Sequence, residues 1–405
     1  MRYTNIFFIP SWYPSKFKPA AGYFIKEQAI ALGKYCPSCR LAISLWGDQD
    51  TKISFEKPKE VFPHWLNFLL AKPYQKKLSL NVWEICQPAL EWSPRIFKGN
   101  IKAIIRVNRQ NFFQAQKKIG KINLIHAHIS FPAGYVAMKL AQDYQIPYII
   151  TEHYGPFPQA PFDQTKYFNL IKEPLKNANN IIVVSPVLKK TISKLNVKKI
   201  AVIGNQVDED FFVLRKNPKT EFFRYFTAAD ITPTKGIADL IEAIRIVVNH
   251  NRQLEFRIAG EGKFLGYYQK ITYDLQKNGH LKWLGFLSRD ELRRQLQNSQ
   301  VFISPSHHES FGLAIVEALF CGRPVIATRS GGPESYLNTR NSILIDIGNI
   351  KQLARAILSI KNHYQDYHSS LIRKEAVTKF SSKIVAKQVL SLYYQTIKGS
   401  LKREN

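Results

Sequence analysis

Short apolar runs bounded by polar or turn-forming residues recur along this chain, at positions 5–9, 41–45, 124–127, 148–151, 180–184, 201–203, 224–227, 255–259, 301–304 and 325–328. Nearly unbroken runs of this kind suit strands buried on both faces, as in a parallel sheet. Between several of them the apolar period becomes helical. Residues 238–248, for example, set Leu240, Ile241, Ile244, Val247 and Val248 on one face. Strands alternating with amphipathic helices predict an α/β fold with parallel sheets covered by helices.

Two stretches depart from this alternation. Residues 53–120 hold Trp65, Phe68, Leu69, Leu70, Trp83 and Trp92 among many lysines without a clear strand period, and read as an insertion. Its last part predicts a helix with Ile101, Ile104, Ile105, Phe112, Ala115 and Ile119 on one face and Lys102, Arg106 and Arg109 on the other. Residues 198–218 carry IGNQVDED followed by a basic, proline-containing segment, which marks a linker between two domains. The expected division is 1–205, 206–380 and a terminal helical segment, 381–405. The two halves resemble each other as α/β units, although no internal repeat is visible in the sequence.

Composition adds constraints. At 405 residues the chain exceeds one ordinary core. No stretch approaches the roughly 18 uninterrupted apolar residues of a membrane-spanning helix, and the first residues lack the order of a signal peptide, so a cytoplasmic protein is expected. Cys36 and Cys39 form a CxxC, but the remaining Cys86 and Cys321 are scattered and complete no zinc site. The net charge of +28 fits nucleic acid, an anionic membrane or a phosphorylated substrate. No nucleic-acid-binding signature accompanies it, so nucleic acid is not the expected partner. The aromatic, basic insertion suits an anionic membrane surface, at the inner face of the cell membrane, as a secondary partner.

The most informative stretch is ISPSHHESFGLAIVEALFCGRPVIATRSGGPES, residues 303–335. A strand ends at Ser304, a polar loop carries Glu309, Gly312 permits close backbone approach, and a helix opens near Leu313 with Glu317 in its early turns. Free N–H groups at a helix start attract phosphate. Carboxylates beside such a site would accept hydrogen bonds from sugar or ribose hydroxyls instead, or would merely favour the positive helix end.

On these residues the chain resembles the family-4 retaining glycosyltransferases. Glu309 and Glu317 stand at the E-x7-E spacing of that family, and PS-x-x-E-SFG and G-x-PV-x-AT-x-x-GG-x-x-E match around them. Further matches follow the family's order. SWYPS with Ala21-Gly22 resembles its first glycine loop, residues 124–155 its strand-helix-strand unit ending in an active-site histidine, here His153, and Asn205–Asp208 its interdomain position. TPTKG places Lys235 at the phosphate lysine, and AGEGKF places Gly260 and Gly262 at the next glycine loop. The insertion is not covered.

The resemblance implies two Rossmann-like domains facing each other across a cleft, the GT-B fold, with the last helix crossing back to the first domain. It implies transfer of a hexosyl unit, with retention, from a nucleotide diphosphate sugar to a glycan or lipid-linked hydroxyl in cell-surface polysaccharide synthesis. His153 and Glu309 are the implied catalytic residues. Gly22, Lys235, Gly260, Gly262, Ser310, Phe311, Gly312, Leu313 and Glu317 are the implied donor-binding set, without cofactor or metal. His126 and His128 lie near His153 in the pattern, yet no carboxylate or cysteine accompanies them at ligand spacing.

One position breaks the pattern: where the family places a glycine and an arginine ahead of the phosphate lysine, this chain has Ala229 and Asp230. An aspartate within about 5 Å of a diphosphate repels it by roughly 1 kcal/mol when solvated. That substitution motivates an alternative, a catalytically degenerate sugar-nucleotide-binding protein. A sugar-nucleotide epimerase of the same architecture is a further alternative, against which the E-x7-E string argues.

Overall fold

The computed structural model describes residues 3–401 except 17, 48–52, 54–57, 94–95, 159–166, 198, 216–220 and 250–252. Lys198 and 216–218 of the linker segment therefore lie outside the described residues. The chain divides into two compact units, residues 1–206 with 382–405, and residues 207–381.

The first unit runs β1 (Thr4–Pro10), α1 (Tyr23–Tyr35), β2 (Cys39–Leu45), α2 (Pro58–Leu70), β3 (Tyr74–Ser79), β4 (Val82–Cys86), α3 (Phe97–Ile119), β5 (Leu124–His128), α4 (Tyr135–Tyr144), β6 (Tyr148–Glu152), α5 (Asn169–Asn177), β7 (Asn180–Val183), α6 (Pro186–Ser193) and β8 (Ile200–Val202). Its strands form one sheet in the order β3-β4-β2-β1-β5-β6-β7-β8, parallel except where β3 meets β4. The second unit runs β9 (Phe223–Ala228), α7 (Ile237–Val248), β10 (Leu254–Ala259), α8 (Leu265–Ile271), α9 (Tyr273–Lys277), β11 (Leu281–Gly285), α10 (Arg289–Gln297), β12 (Val301–Ser304), α11 (Leu313–Phe320), β13 (Val325–Thr328), β14 (Ser342–Ile345), α12 (Ile350–Asn362) and α13 (Ser369–Phe380). Its sheet is wholly parallel, in the order β11-β10-β9-β12-β13-β14.

The last helix, α14 (Ser382–Leu401), belongs to the first unit, where Val385, Ala386, Val389 and Tyr393 join the core with α1. The expected α/β class with parallel sheets is what the structure shows. Each expected strand is present. The insertion differs from its reading: residues 74–86 form the β3–β4 hairpin, which extends the first sheet. In α3, Asn108 and Asn111 are fully buried among the expected apolar positions. They tie α3 to β2: Ser44 Oγ donates to Asn108 Oδ1 at 2.6 Å, and Asn111 Nδ2 donates to Ser44 Oγ and to the Leu45 carbonyl.

Candidate active site

In an open parallel sheet the chain connections part where the strand order reverses, leaving a crevice at the strands' carboxyl ends. In the second sheet that point lies between β9 and β12. A cavity of about 190 Å³ sits there, lined by Thr227–Asp230 of β9 and its loop, Phe302–Ser306 of β12 and its loop, Lys235, Glu309 and Gly312–Ile315.

Backbone meets backbone around it, which explains its glycines. A Cβ on Gly236 would stand 2.0 Å from the Pro305 carbonyl oxygen, one on Gly260 1.8 Å from that of Ala229, and one on Gly262 2.4 Å from that of Ile231. Gly236, Gly260 and Gly312 also adopt φ of 64°, 138° and 82°, which side chains disfavour. Gly260 and Gly262 thus brace the β9 loop and are not among the residues lining the cavity.

Lys235 and Glu309 meet at the cavity, Nζ to Oε1 at 2.6 Å, each partly exposed. Ser306 Oγ donates to the same carboxylate oxygen at 2.9 Å. The Glu309 backbone bridges to the 330–332 loop: its N–H donates to the Ser330 carbonyl, and its carbonyl accepts from Gly332 N–H. Tyr336 Oη donates to the Phe311 carbonyl at 2.5 Å, fixing the turn into α11. Leu313 lines the cavity, whereas the Phe311 ring is buried against Tyr336 and Phe380. Ser310 lends its backbone, against which Gly332 closes. Glu317 is buried on α11 and is not among the lining residues. Asp230 lines the same cavity as Lys235. Ser306 was visible only as the serine of PS-x-x-E-SFG; its hydrogen bond to Glu309 was not foreseen.

In the first sheet the order reverses between β1 and β5. Here His126 lies within β5, His128 ends it and His153 follows β6, all buried. Tyr393 Oη and Thr151 Oγ1 bond the two ring nitrogens of His126 at 2.7 Å, and His128 Nδ1 shares a 3.1 Å bond with His153 Nε2. Burial, with the neighbouring His153, drives His126 down to about 3. Burial drives His153 to about 3 as well, against the opposing pull of the Asn205 side chain. His153 is therefore neutral near pH 7 and can give or accept one hydrogen bond per nitrogen, but does not act as a cation.

Glu152, buried beside it, accepts from the backbone N–H groups of Ser130, His153 and Tyr154 at 2.9 Å, and from the Ser130 hydroxyl. It fixes the loops on which His153 and Ser130 sit, a role the sequence did not disclose. Ile129, which leads into that loop, holds φ 77° and ψ 139°, a costly conformation for a β-branched residue. Gly22, at the start of α1, has φ 60°, and a Cβ there would stand 2.2 Å from the Trp12 carbonyl oxygen.

A second cavity of this unit, about 460 Å³, is lined by Tyr13, Ser15, Lys16, Asn67, Lys72 and Tyr74 among others. Cys36, Cys39, Cys86 and Cys321 are buried free thiols, and burial holds Cys39 up to about 12. Among the described residues no group of three His, Cys, Asp or Glu side chains is placed to hold a metal ion, and no helix is long and apolar enough to cross a membrane.

Two parallel-sheet α/β units, with candidate residues at the reversal point of each sheet, define the GT-B class. The Glycosyl transferases group 1 description matches residues 206–375 and that of Glycosyltransferase Family 4 matches 85–211. An uncharacterised glycosyltransferase of Methanocaldococcus jannaschii is 32% identical over 256 residues, covering 61% of this chain and 69% of that one. TuaC of Bacillus subtilis, named for teichuronic acid biosynthesis, is 25% identical over 376 residues, covering 87% and 88%. Among solved structures, Anabaena HepE in complex with UDP and glucose superposes with a TM-score of 0.70 at 18% identity, covering 97% of this chain and all of that one. The chain belongs to the group 1 glycosyl transferases.

Proposed function

We propose that this glycosyltransferase moves a hexosyl unit, with retention and without a metal, from a nucleotide diphosphate sugar to a glycan or lipid-linked hydroxyl in cell-surface polysaccharide synthesis, acting in the cytoplasm. The observation that carries this reading is the Lys235–Glu309 pair beside Gly312 at the reversal point of the second sheet. Lys235 would leave Glu309 for the donor diphosphate and neutralise the charge that grows on the leaving group. Glu309, held by Ser306, would then accept from sugar hydroxyls; Glu317, buried and not among the residues lining the cavity, is assigned to the ribose on the family resemblance alone. His153 is assigned to the donor sugar, and Gly22 to the diphosphate, on the family resemblance alone. Departure of the diphosphate leads, and the acceptor oxygen attacks from the face being vacated and gives its proton to the departing phosphate oxygen, which retains configuration. The 460 Å³ cavity, with Lys16 and Lys72, is assigned to the acceptor. The name of TuaC supports a surface polymer, and the HepE complex supports a uridine diphosphate sugar.

A second reading rests on Asp230, which lines the donor cavity and opposes a diphosphate there: a binding protein without turnover. Calorimetric titration of uridine and guanosine diphosphates into the parent, Asp230→Arg and Asp230→Asn separates the two. Arginine supplies paired charge-assisted hydrogen bonds and removes a repulsion, so a gain of about 1–3 kcal/mol, roughly tenfold to a hundredfold in affinity, is expected, with asparagine giving the smaller part. Unchanged affinity in both variants would contradict the placement of the phosphates. A parent that binds nothing, beside an arginine variant that binds well, would favour the second reading.

A further inference from the structure

An amphipathic helix turns its apolar stripe toward a core; α2 does the reverse. Phe62, Trp65, Leu66, Leu69 and Leu70 stand at i, i+3, i+4, i+7 and i+8, the spacing of one continuous helical face. They are 65, 43, 40, 55 and 68% exposed. The opposite side, with His64 buried and Asn67 and Phe68 half-buried, faces the protein. An outward stripe of five large apolar side chains, with Phe62 and Trp65 rings 6.0 Å apart, marks a surface built to be covered.

Charge identifies the cover. Residues 58–80 carry Lys59, Lys72, Lys76 and Lys77 against the single carboxylate Glu60. All four lysines are exposed, Lys76 and Lys77 on the edge strand β3 that follows the helix. A second copy of this chain would bring the same lysines and a further +28 charge to the contact, and lysine is depleted at the centres of protein interfaces. A bilayer bearing acidic headgroups answers both halves of the pattern: aromatic and leucine side chains enter the boundary between headgroups and acyl chains, while lysines reach the phosphates. We propose that α2 lies in the plane of an anionic leaflet, its 62-65-66-69-70 face immersed, with Lys59, Lys76 and Lys77 on the headgroups.

Sedimentation of the full chain with vesicles tests this without any donor or acceptor, so it can fail while sugar transfer stands. The parent should sediment with phosphatidylcholine–phosphatidylglycerol vesicles, less at high salt, and stay in solution with phosphatidylcholine alone. Phe62→Ser/Trp65→Ser/Leu69→Ser should lose at least about tenfold in partitioning, with an unchanged Tm. Lys76→Gln/Lys77→Gln leaves every apolar side chain in place, which keeps the test if the serine variant misfolds; about fivefold should be lost per lysine. Parent protein that ignores anionic vesicles overturns the proposal, as does undiminished binding by both variants. So does a lipid-free dimer of the parent that the serine variant abolishes, because the cover would then be a second copy.

Discussion

At the residue scale, the buried histidines carry a consequence for pH. His126 and His153 titrate near 3 in the folded protein and near 6.5 in an unfolded chain. Between those values the unfolded chain holds more protons, so stability is greatest above about pH 6.5 and falls as pH falls, by at most about 1.4 kcal/mol per pH unit for each group. Glu152 acts in the opposite sense: burial raises it, so the folded form takes its proton first and gains stability as pH drops toward the ordinary carboxylate range. Calorimetric melting between pH 7.5 and 5.5 should show a falling Tm for the parent and a shallower fall for His126→Asn. A flat profile, or equal slopes, would contradict the buried neutral cluster. Glu309 and Gly312 were legible because they sit in one string, and Lys235 because TPTKG matches the family's phosphate-lysine segment. The roles of Glu152, Asn108 and Asn111 were not, because Ser130 and Ser44, which give them those roles, are distant in sequence; Ser306 was visible in its motif, but its bond to Glu309 was not.

At the scale of elements, legibility followed burial. The ten strands foreseen are mostly buried runs, whereas among the described residues three of the four that were not, β3, β11 and β14, lie at sheet edges. Edge strands are solvated on one side and lose the continuous apolar signature; β3, Tyr-Gln-Lys-Lys-Leu-Ser, is mostly exposed. In β4 the buried Glu84 interrupts the run, held by Tyr13 Oη at 2.5 Å and Lys26 at 3.2 Å. The loops around the 190 Å³ cavity depend on glycine in the same physical way. Gly236→Ala meets both a positive φ and a backbone oxygen, while Gly279→Ala meets a positive φ of 77° with no atom within 4 Å. The left-handed conformation alone costs about 1–2 kcal/mol. Urea unfolding should therefore show Gly279→Ala losing about that much and Gly236→Ala clearly more, with only Gly236→Ala weakening nucleoside diphosphate binding. Equal losses would mean that the Pro305 backbone yields freely and that the cavity is not braced there.

For the whole molecule, family membership was readable from the order of its motifs, while donor base, sugar and acceptor depend on loop geometry that motifs do not encode. The net charge of +28 belongs to no single site; the lysines of residues 58–80 give it one local use. The central claim is that the Lys235–Glu309 cavity binds a nucleotide diphosphate sugar and breaks its sugar–phosphate bond. Release of nucleoside diphosphate from a panel of uridine and guanosine diphosphate hexoses, measured for the parent, Lys235→Ala and Glu309→Ala, tests it most directly. Neither side chain belongs to the core, so both variants should melt like the parent. The parent should cleave one donor well above the rest, and each variant should lose at least about a hundredfold in kcat/KM, the scale of a charge-stabilising group in a transition state. A folded parent that cleaves none of them, or a Lys235→Ala variant as fast as the parent, would contradict the account.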